Sequence, residues 1–246
     1  MKNNVLLLGG TGTLGSKIIK SKFFPNLKYP KKKILNILNK KQIENFLIKK
    51  KINLVLHCAA LARVKDCELN KSKAKKINII GTQNIVKSIL KIKKITKKDI
   101  KLVFISSDAV YASTRGSYKE TDKTSPYNIY GLTKLKGEKI VKKLENYIII
   151  RTRFFDKKKI PFKYSAVNIY TSSLEVNKLV KYISILVKKK FQGIINVGGP
   201  KISDYKKYKK YKKSLKPCDK SKILNELNFK IATNASLNLN KLKKII

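Results

Sequence analysis

The sequence predicts an α/β protein built on a doubly wound parallel sheet, with a small C-terminal lobe. Two observations carry this. Short apolar runs alternate with helical patterns as far as residue 155, which argues for a parallel sheet wrapped on both faces. The first apolar run, Val5–Leu8, ends in Gly9-Gly10-Thr11-Gly12-Thr13-Leu14-Gly15, a turn that opens a helix.

The elements follow in order. Val5–Leu8 reads as a buried strand, and Leu14–Lys22 as a helix with apolar residues at 14, 18 and 19. Pro25 and Pro30 bracket a short second strand near Asn26–Tyr29. Gln42–Lys50 is a helix with Ile43, Phe46 and Leu47 on one face. Asn53–His57 is a strand, and Ala74–Ile92 a long helix carrying Ile77, Ile80, Ile85 and Ile89. Ile100–Ile105 is the next strand, 112–126 a polar loop, Tyr127–Leu144 a helix and Tyr147–Arg151 a strand. Leu174–Val187 is expected to be a helix and Gly193–Val197 a strand. Residues 1–155 are thus expected to form a dinucleotide-binding domain of the Rossmann type. Residues 156–246 form a smaller substrate region, with 193–198 returning to the main sheet. Ligands in such sheets sit at the carboxyl ends of the strands.

Composition narrows the function. With 246 residues and 42% hydrophobic content, the chain can bury one sizeable core. It has no run of 18 apolar residues and no signal-peptide pattern, so a cytoplasmic protein with no membrane partner is expected. Three scattered cysteines and one histidine, His57, give no disulfide framework and no metal site. His57 is expected to be a buried or strand-end polar residue, and Cys67 a core or helix-surface residue and not a nucleophile. The formal charge is +45, yet only Arg63, Arg115, Arg151 and Arg153 are arginine. Readers of nucleic acid favour the guanidinium fork. Lys, Ile and Asn are raised together, and all three have A/T-rich codons. Genome composition accounts for the charge, with selected polyanion binding as the alternative. No specific nucleic-acid partner is expected. The triplicate Tyr-Lys-Lys at 205–213 reads as a half-exposed helix packing its tyrosines, or as an aromatic-basic patch.

Gly9-x-x-Gly12-x-x-Gly15 lets a backbone approach a pyrophosphate, and the following helix N-terminus offers N–H groups and a positive dipole. No Asp or Glu occurs between Gly9 and Glu44, where an acid would hold the adenine ribose. Lys28, Lys31, Lys32 and Lys33 stand there instead, which leans towards NADPH over NADH. Tyr130 and Lys134 share a helix face. An ammonium beside the phenol is expected to lower its pKa and suit it to give a proton to a carbonyl oxygen. Ser107, ending the preceding strand, can steady the same oxygen. Glu138, one turn beyond Lys134, can pair with it. Tyr127, on the same helix, is expected to stand outside the chemistry.

With these motifs the chain resembles the extended short-chain dehydrogenases, and among them the dTDP-4-dehydrorhamnose reductase family. Matching stretches include Gly9–Gly15, His57–Ala60, Val64–Glu68, Ile77–Asn84, Ile105–Asp108, Tyr118–Asp122 and Ser125–Glu138. Tyr147–Phe155 resembles the strand under the nicotinamide, and Ser236-Leu237-Asn238 a C-terminal signature. The resemblance implies a catalytic trio of Ser107, Tyr130 and Lys134, with Asn78 supporting the lysine through water. It implies cofactor contacts from Gly9, Thr11, Gly12, Thr13, Leu14, Gly15, Ala59, Ala60, Tyr130 and Lys134, and from Asn36 where the family usually has an acid. The implied reaction moves hydride from NADPH or NADH to C4 of a 4-keto-6-deoxy nucleotide sugar, and needs no metal. Only Asp156–Tyr170 stands where relatives carry a longer substrate segment. That implies a sugar pocket that is open, altered or completed by a partner. Alternatives are another epimerase or dehydratase of this fold, or a catalytically silent, cofactor-binding regulatory subunit. Both a monomer and a homodimer fit the sequence.

Overall fold

The computed structural model describes residues 4–227 and 229–246. Its centre is a six-stranded parallel sheet. The strands are β1 (Asn4–Leu8), β2 (Asn26–Lys28), β3 (Leu54–His57), β4 (Lys101–Ile105), β5 (Tyr147–Thr152) and, from the C-terminal region, Gly193–Val197. In spatial order they run β2, β1, β3, β4, β5 and then Gly193–Val197. The chain leaves β1 on one side to make β2 and returns on the other to make β3. The switch point therefore lies between the carboxyl ends of β1 and β3, where α/β sheets place their ligands.

Apolar runs form these strands because both faces are covered. Ile149 packs with α2 (Lys40–Lys49) and its neighbours, while Ile148 and Ile150 pack on the opposite side. That opposite side holds α1 (Thr13–Ser21) and the later helix Val176–Lys188. The α2 side also carries three helical segments, α3 (Val64–Leu69), α4 (Lys71–Lys75) and α5 (Gly81–Thr96), and then α6 (Ile129–Val141).

Several expected elements differ in detail. The long helix over Ala74–Ile92 starts earlier and ends later, and it is not uniform. Between α4 and α5 the chain makes one π-helical turn, Lys76–Ile80, with Asn78 buried inside it. Such turns arise where a local demand outweighs α-helical regularity; here Asn78 reaches two other segments. The helix expected from Tyr127 starts at Ile129, because the Asn128 side chain accepts the Gly131 N–H at 2.7 Å and caps it. The helix expected from Leu174 begins with a two-residue strand, and its helical part, α7, is Val176–Lys188.

Residues beyond Phe155 add short strand pairs beside the carboxyl edge of the sheet. The Tyr-Lys-Lys stretch forms only a short helix, α8 (Asp204–Lys209). Tyr208 packs inward, while Tyr205 is half-buried and Tyr211 exposed. Tyr208 meets Phe155 edge-on at 5.3 Å and Phe162 at 5.0 Å, and Tyr211 lies 5.6 Å from Phe155. Lys207 is buried on Asp204 and Thr171, at 2.5 and 2.7 Å. The packed-helix reading of this stretch fits; a flat aromatic-basic platform does not. No helix among the described residues is long and apolar enough to cross a membrane.

Candidate active site

A cavity of about 490 Å³ opens at the switch point. One wall is the β1–α1 turn, with Gly9, Gly12, Thr13, Leu14 and Gly15. Gly9 has φ +89°, a conformation that favours glycine. Two positions of the turn leave no room for a side chain: a Cβ on Gly9 would stand 2.6 Å from the Ala59 nitrogen, and one on Gly15 2.2 Å from the Gly9 oxygen. Helix α1 starts here with no capping side chain and no acid in its first turn. Its amides and positive dipole face open space, which suits the pyrophosphate of a dinucleotide.

The far wall carries Ser107, Tyr130 and Lys134. Two features bring them together. Ser107 leaves the end of β4 and caps a single 3₁₀ turn, Asp108–Val110, accepting the Ala109 N–H at 3.1 Å. Gly131 lets α6 lie against that turn, since a Cβ there would stand 2.2 Å from the Ala109 oxygen. Tyr130 is thereby set beside Ser107. Its ring lines the cavity, and burial of the hydroxyl end pushes the phenol up to about 12, although Ser107 pulls it down. Tyr130 is therefore a protonated acid at neutral pH.

Lys134 corrects one expectation. Its Nζ lies 4.0 Å from the Phe104 ring centroid, a cation–π contact, and the Tyr130 phenol is raised, not lowered. Burial lowers it to about 8, against the pull of Glu138. Glu138 corrects another, since it binds Arg151 and not Lys134. Arg151 donates to it through Nη2 at 2.7 Å and Nε at 3.0 Å, and Ser106 Oγ donates at 2.5 Å. Both charges are buried, with side chains 4% and 1% exposed. The Arg151 Nη1 also donates to Tyr111 Oη at 2.8 Å, which extends the network behind the site.

Of the other expected residues, Asn78, Asn36, Thr11 and Ala59 sit away from the cavity wall. Asn78 holds the Leu61 backbone at both ends, at 2.8 and 3.0 Å, and donates to Thr133 Oγ1 at 2.9 Å. It thus fixes the β3 exit loop to α6, one residue before Lys134. Asn36 accepts the Leu38 N–H at 3.0 Å and shapes the loop after β2. Thr11 is exposed at the tip of the glycine turn, and Ala59 packs under Gly9, while Ala60 reaches the cavity. His57 is buried, and burial lowers it to about 3. Its Nε2 lies 3.0 Å from Thr82 Oγ1, whose own proton goes to the Asn78 carbonyl, so Nε2 is the donor.

Tyr127, Arg153 and Arg63 also line the cavity, although the sequence reading gave none of them a role in the site. Tyr127, expected to stand outside, lies beside Arg153. Arg153 Nε donates to Asp108 Oδ2 at 2.6 Å. A signal was available. Arginines at 151 and 153 end a strand of isoleucines, and a guanidinium so placed needs a carboxylate nearby. A wider groove of about 610 Å³ between α1 and α7 is open and lined largely by lysines, and lacks converging acid or base groups.

The chain is thus an α/β protein of the Rossmann type, with a serine, a tyrosine and a lysine facing one cavity at the switch point of its sheet. Residues 1–175 match the model of the RmlD substrate binding domain, and the chain belongs to that family. It is similar to methionine adenosyltransferase 2 subunit beta of Bos taurus, 32% identical over 58% of this chain and 43% of that protein. It is also similar to dTDP-4-dehydrorhamnose reductase of Aggregatibacter actinomycetemcomitans, 29% identical over 60% of this chain and 50% of that one. The matched part thus spans about half the length of these relatives. Among solved structures, dTDP-4-dehydrorhamnose reductase from Bacillus anthracis, in complex with NADP, superposes with a TM-score of 0.87. It is 24% identical, with 99% of this chain and 93% of that one covered. A hypothetical dTDP-4-dehydrorhamnose reductase from Sulfolobus tokodaii superposes with a TM-score of 0.81 at 28% identity, covering 99% and 94%.

Proposed function

We propose that the chain is an NADPH-dependent reductase acting on the 4-keto group of a 4-keto-6-deoxy nucleotide sugar, as a dTDP-4-dehydrorhamnose reductase does. One observation carries this reading. Ser107, Tyr130 and Lys134 line the same cavity as the glycine turn over Gly9–Gly15. Bound NADPH supplies the hydride. Tyr130, a phenol protonated at neutral pH, gives its proton to the carbonyl oxygen. Ser107 steadies that oxygen. Lys134 holds the nicotinamide ribose with an ammonium that has no carboxylate within ion-pair distance among the described residues. Asn78 supports this arrangement by fixing α6 next to Lys134. The amides of α1 hold the pyrophosphate. Lys28, Lys31, Lys32 and Lys33, all exposed, favour a 2′-phosphate. Residues 156–246 serve as the substrate region.

The test follows absorbance at the NADPH band with a panel of 4-keto-6-deoxy nucleotide sugars. Turnover with at least one of them supports the reading; no turnover with any contradicts it. One rival has an observation in its favour. The likeness to a methionine adenosyltransferase subunit suits a regulatory subunit that binds cofactor without turning it over. Tight NADPH binding without turnover of any sugar would select it. A dehydratase, which needs a free acid beside the serine, is disfavoured because Asp108 is engaged by Arg153.

A further inference from the structure

We propose that Arg153 is a positioning residue for the reduction, fixing Asp108 so that Asp108 orients the hydroxyl of Ser107. The inference rests on the reductase reading above. Three groups stand in line. Arg153 Nε donates to Asp108 Oδ2 at 2.6 Å, and Ser107 Oγ donates to Asp108 Oδ1 at 3.1 Å. Asp108 is buried at 1% exposure, whereas the Arg153 side chain is 33% exposed and lines the cavity.

The serine has one proton to give, and in this arrangement it goes to Asp108. To steady a substrate oxygen, the hydroxyl must swing away from that carboxylate. A carboxylate accepts from a hydroxyl more strongly than a neutral oxygen does. Arg153, bound to the other carboxylate oxygen, draws charge away from the one that Ser107 faces. The ion pair therefore keeps Asp108 as a guide for Ser107 without letting it become a trap. It has a second effect on the same site. Asp108 raises the Tyr130 phenol and Arg153 lowers it, so Arg153 offsets part of the carboxylate's effect there.

Other ionisable groups around the pair are accounted for. Cys67 on α3 faces Tyr130, and Tyr127 ahead of α6 faces Arg153 and Asp108. From α8, Asp204, Lys207 and Tyr208 act on the pair. None of them supplies a second cation in direct contact with Asp108.

The test measures kcat and KM for wild type, Arg153→Lys, Arg153→Met and the double variant Asp108→Asn/Arg153→Met. Arg153→Met is expected to lower kcat about tenfold while KM changes by less than about threefold. Arg153→Lys should recover most of the rate, because a cation again sits on Asp108. The double variant should be faster than Arg153→Met, because Asp108→Asn removes the carboxylate that would hold the Ser107 proton. A loss in Arg153→Met that neither Arg153→Lys nor the double variant recovers, or one carried by KM alone, is structural and overturns the proposal. A wild type inactive on every sugar contradicts the reductase reading itself, whereas an active wild type with an unchanged Arg153→Met contradicts this inference alone.

Discussion

Arg151 and Glu138 form a buried, doubly hydrogen-bonded ion pair directly behind Lys134, with Nη2 to Oε2 at 2.7 Å. It joins the end of β5 to the middle of α6, the helix that carries Tyr130 and Lys134. Removing one partner strands the other in a dry interior. Arg151→Met is predicted to cost about 3–5 kcal/mol of stability. Urea unfolding followed by circular dichroism checks this. A loss below about 1 kcal/mol would show that the pair does not hold the site together.

Lys134 carries a linkage of definite sign. Its folded value of about 8 lies below the ordinary 10.5, because burial disfavours the ammonium. Below about pH 8 the lysine is charged in both states and the folded state bears the full cost. As pH rises from about 8 to about 10.5, the folded protein releases its proton first, and stability increases. Lys134→Met is predicted to raise the melting temperature of the cofactor-free protein at pH 7, by up to about 3 kcal/mol in stability terms. The advantage should shrink towards pH 10.5. An advantage that grows with pH would contradict this assignment. The same variant should bind NADPH more weakly.

Gly15→Ala is predicted to abolish cofactor binding or weaken it by at least about tenfold. The added Cβ would stand 2.2 Å from the Gly9 oxygen, so the turn must open. Fluorescence titration with NADPH reads this directly. Melting by circular dichroism reports whether the fold survives.

NADPH is predicted to bind more tightly than NADH, because Lys28 and Lys31–Lys33 are exposed and the segment has no acid. The gap should narrow as salt rises, since lysine–phosphate attraction is screened within about 10 Å at 0.1 M. At least threefold tighter NADH binding at moderate salt would reverse the assignment.

The sheet was legible because its strands are apolar runs bounded by turn residues. Leu54–His57, Lys101–Ile105 and Gly193–Val197 lie within a residue or two of where the pattern puts them. The glycine turn, Ser107, Tyr130 and Lys134 were legible for a related reason. Each occurs at a spacing tied to a strand end or a helix face. What was hidden depends on which strands become neighbours. Arg153 and Asp108 are 45 residues apart, and they meet because β4 and β5 pair in parallel. Glu138 has Lys134 one turn away on its own helix and Arg151 across the β5 contact. Spacing alone favoured the lysine, while the structure selects the arginine. The π-helical turn at Lys76–Ile80 carries no composition signal, because it is set by what Asn78 must reach.

Substitution of Tyr130 by phenylalanine tests the central claim most directly. The ring and its packing stay, and only the hydroxyl is lost. NADPH titration and turnover of a 4-keto-6-deoxy nucleotide sugar are measured for wild type, Tyr130→Phe and a control, Tyr182→Phe, whose ring lies in the groove between α1 and α7. Tyr130→Phe should bind NADPH nearly as wild type does, while turnover falls by a factor on the order of 10² to 10⁴, as for a lost general acid. Tyr182→Phe should be nearly silent in both. Equal turnover in wild type and Tyr130→Phe would contradict the proposed chemistry.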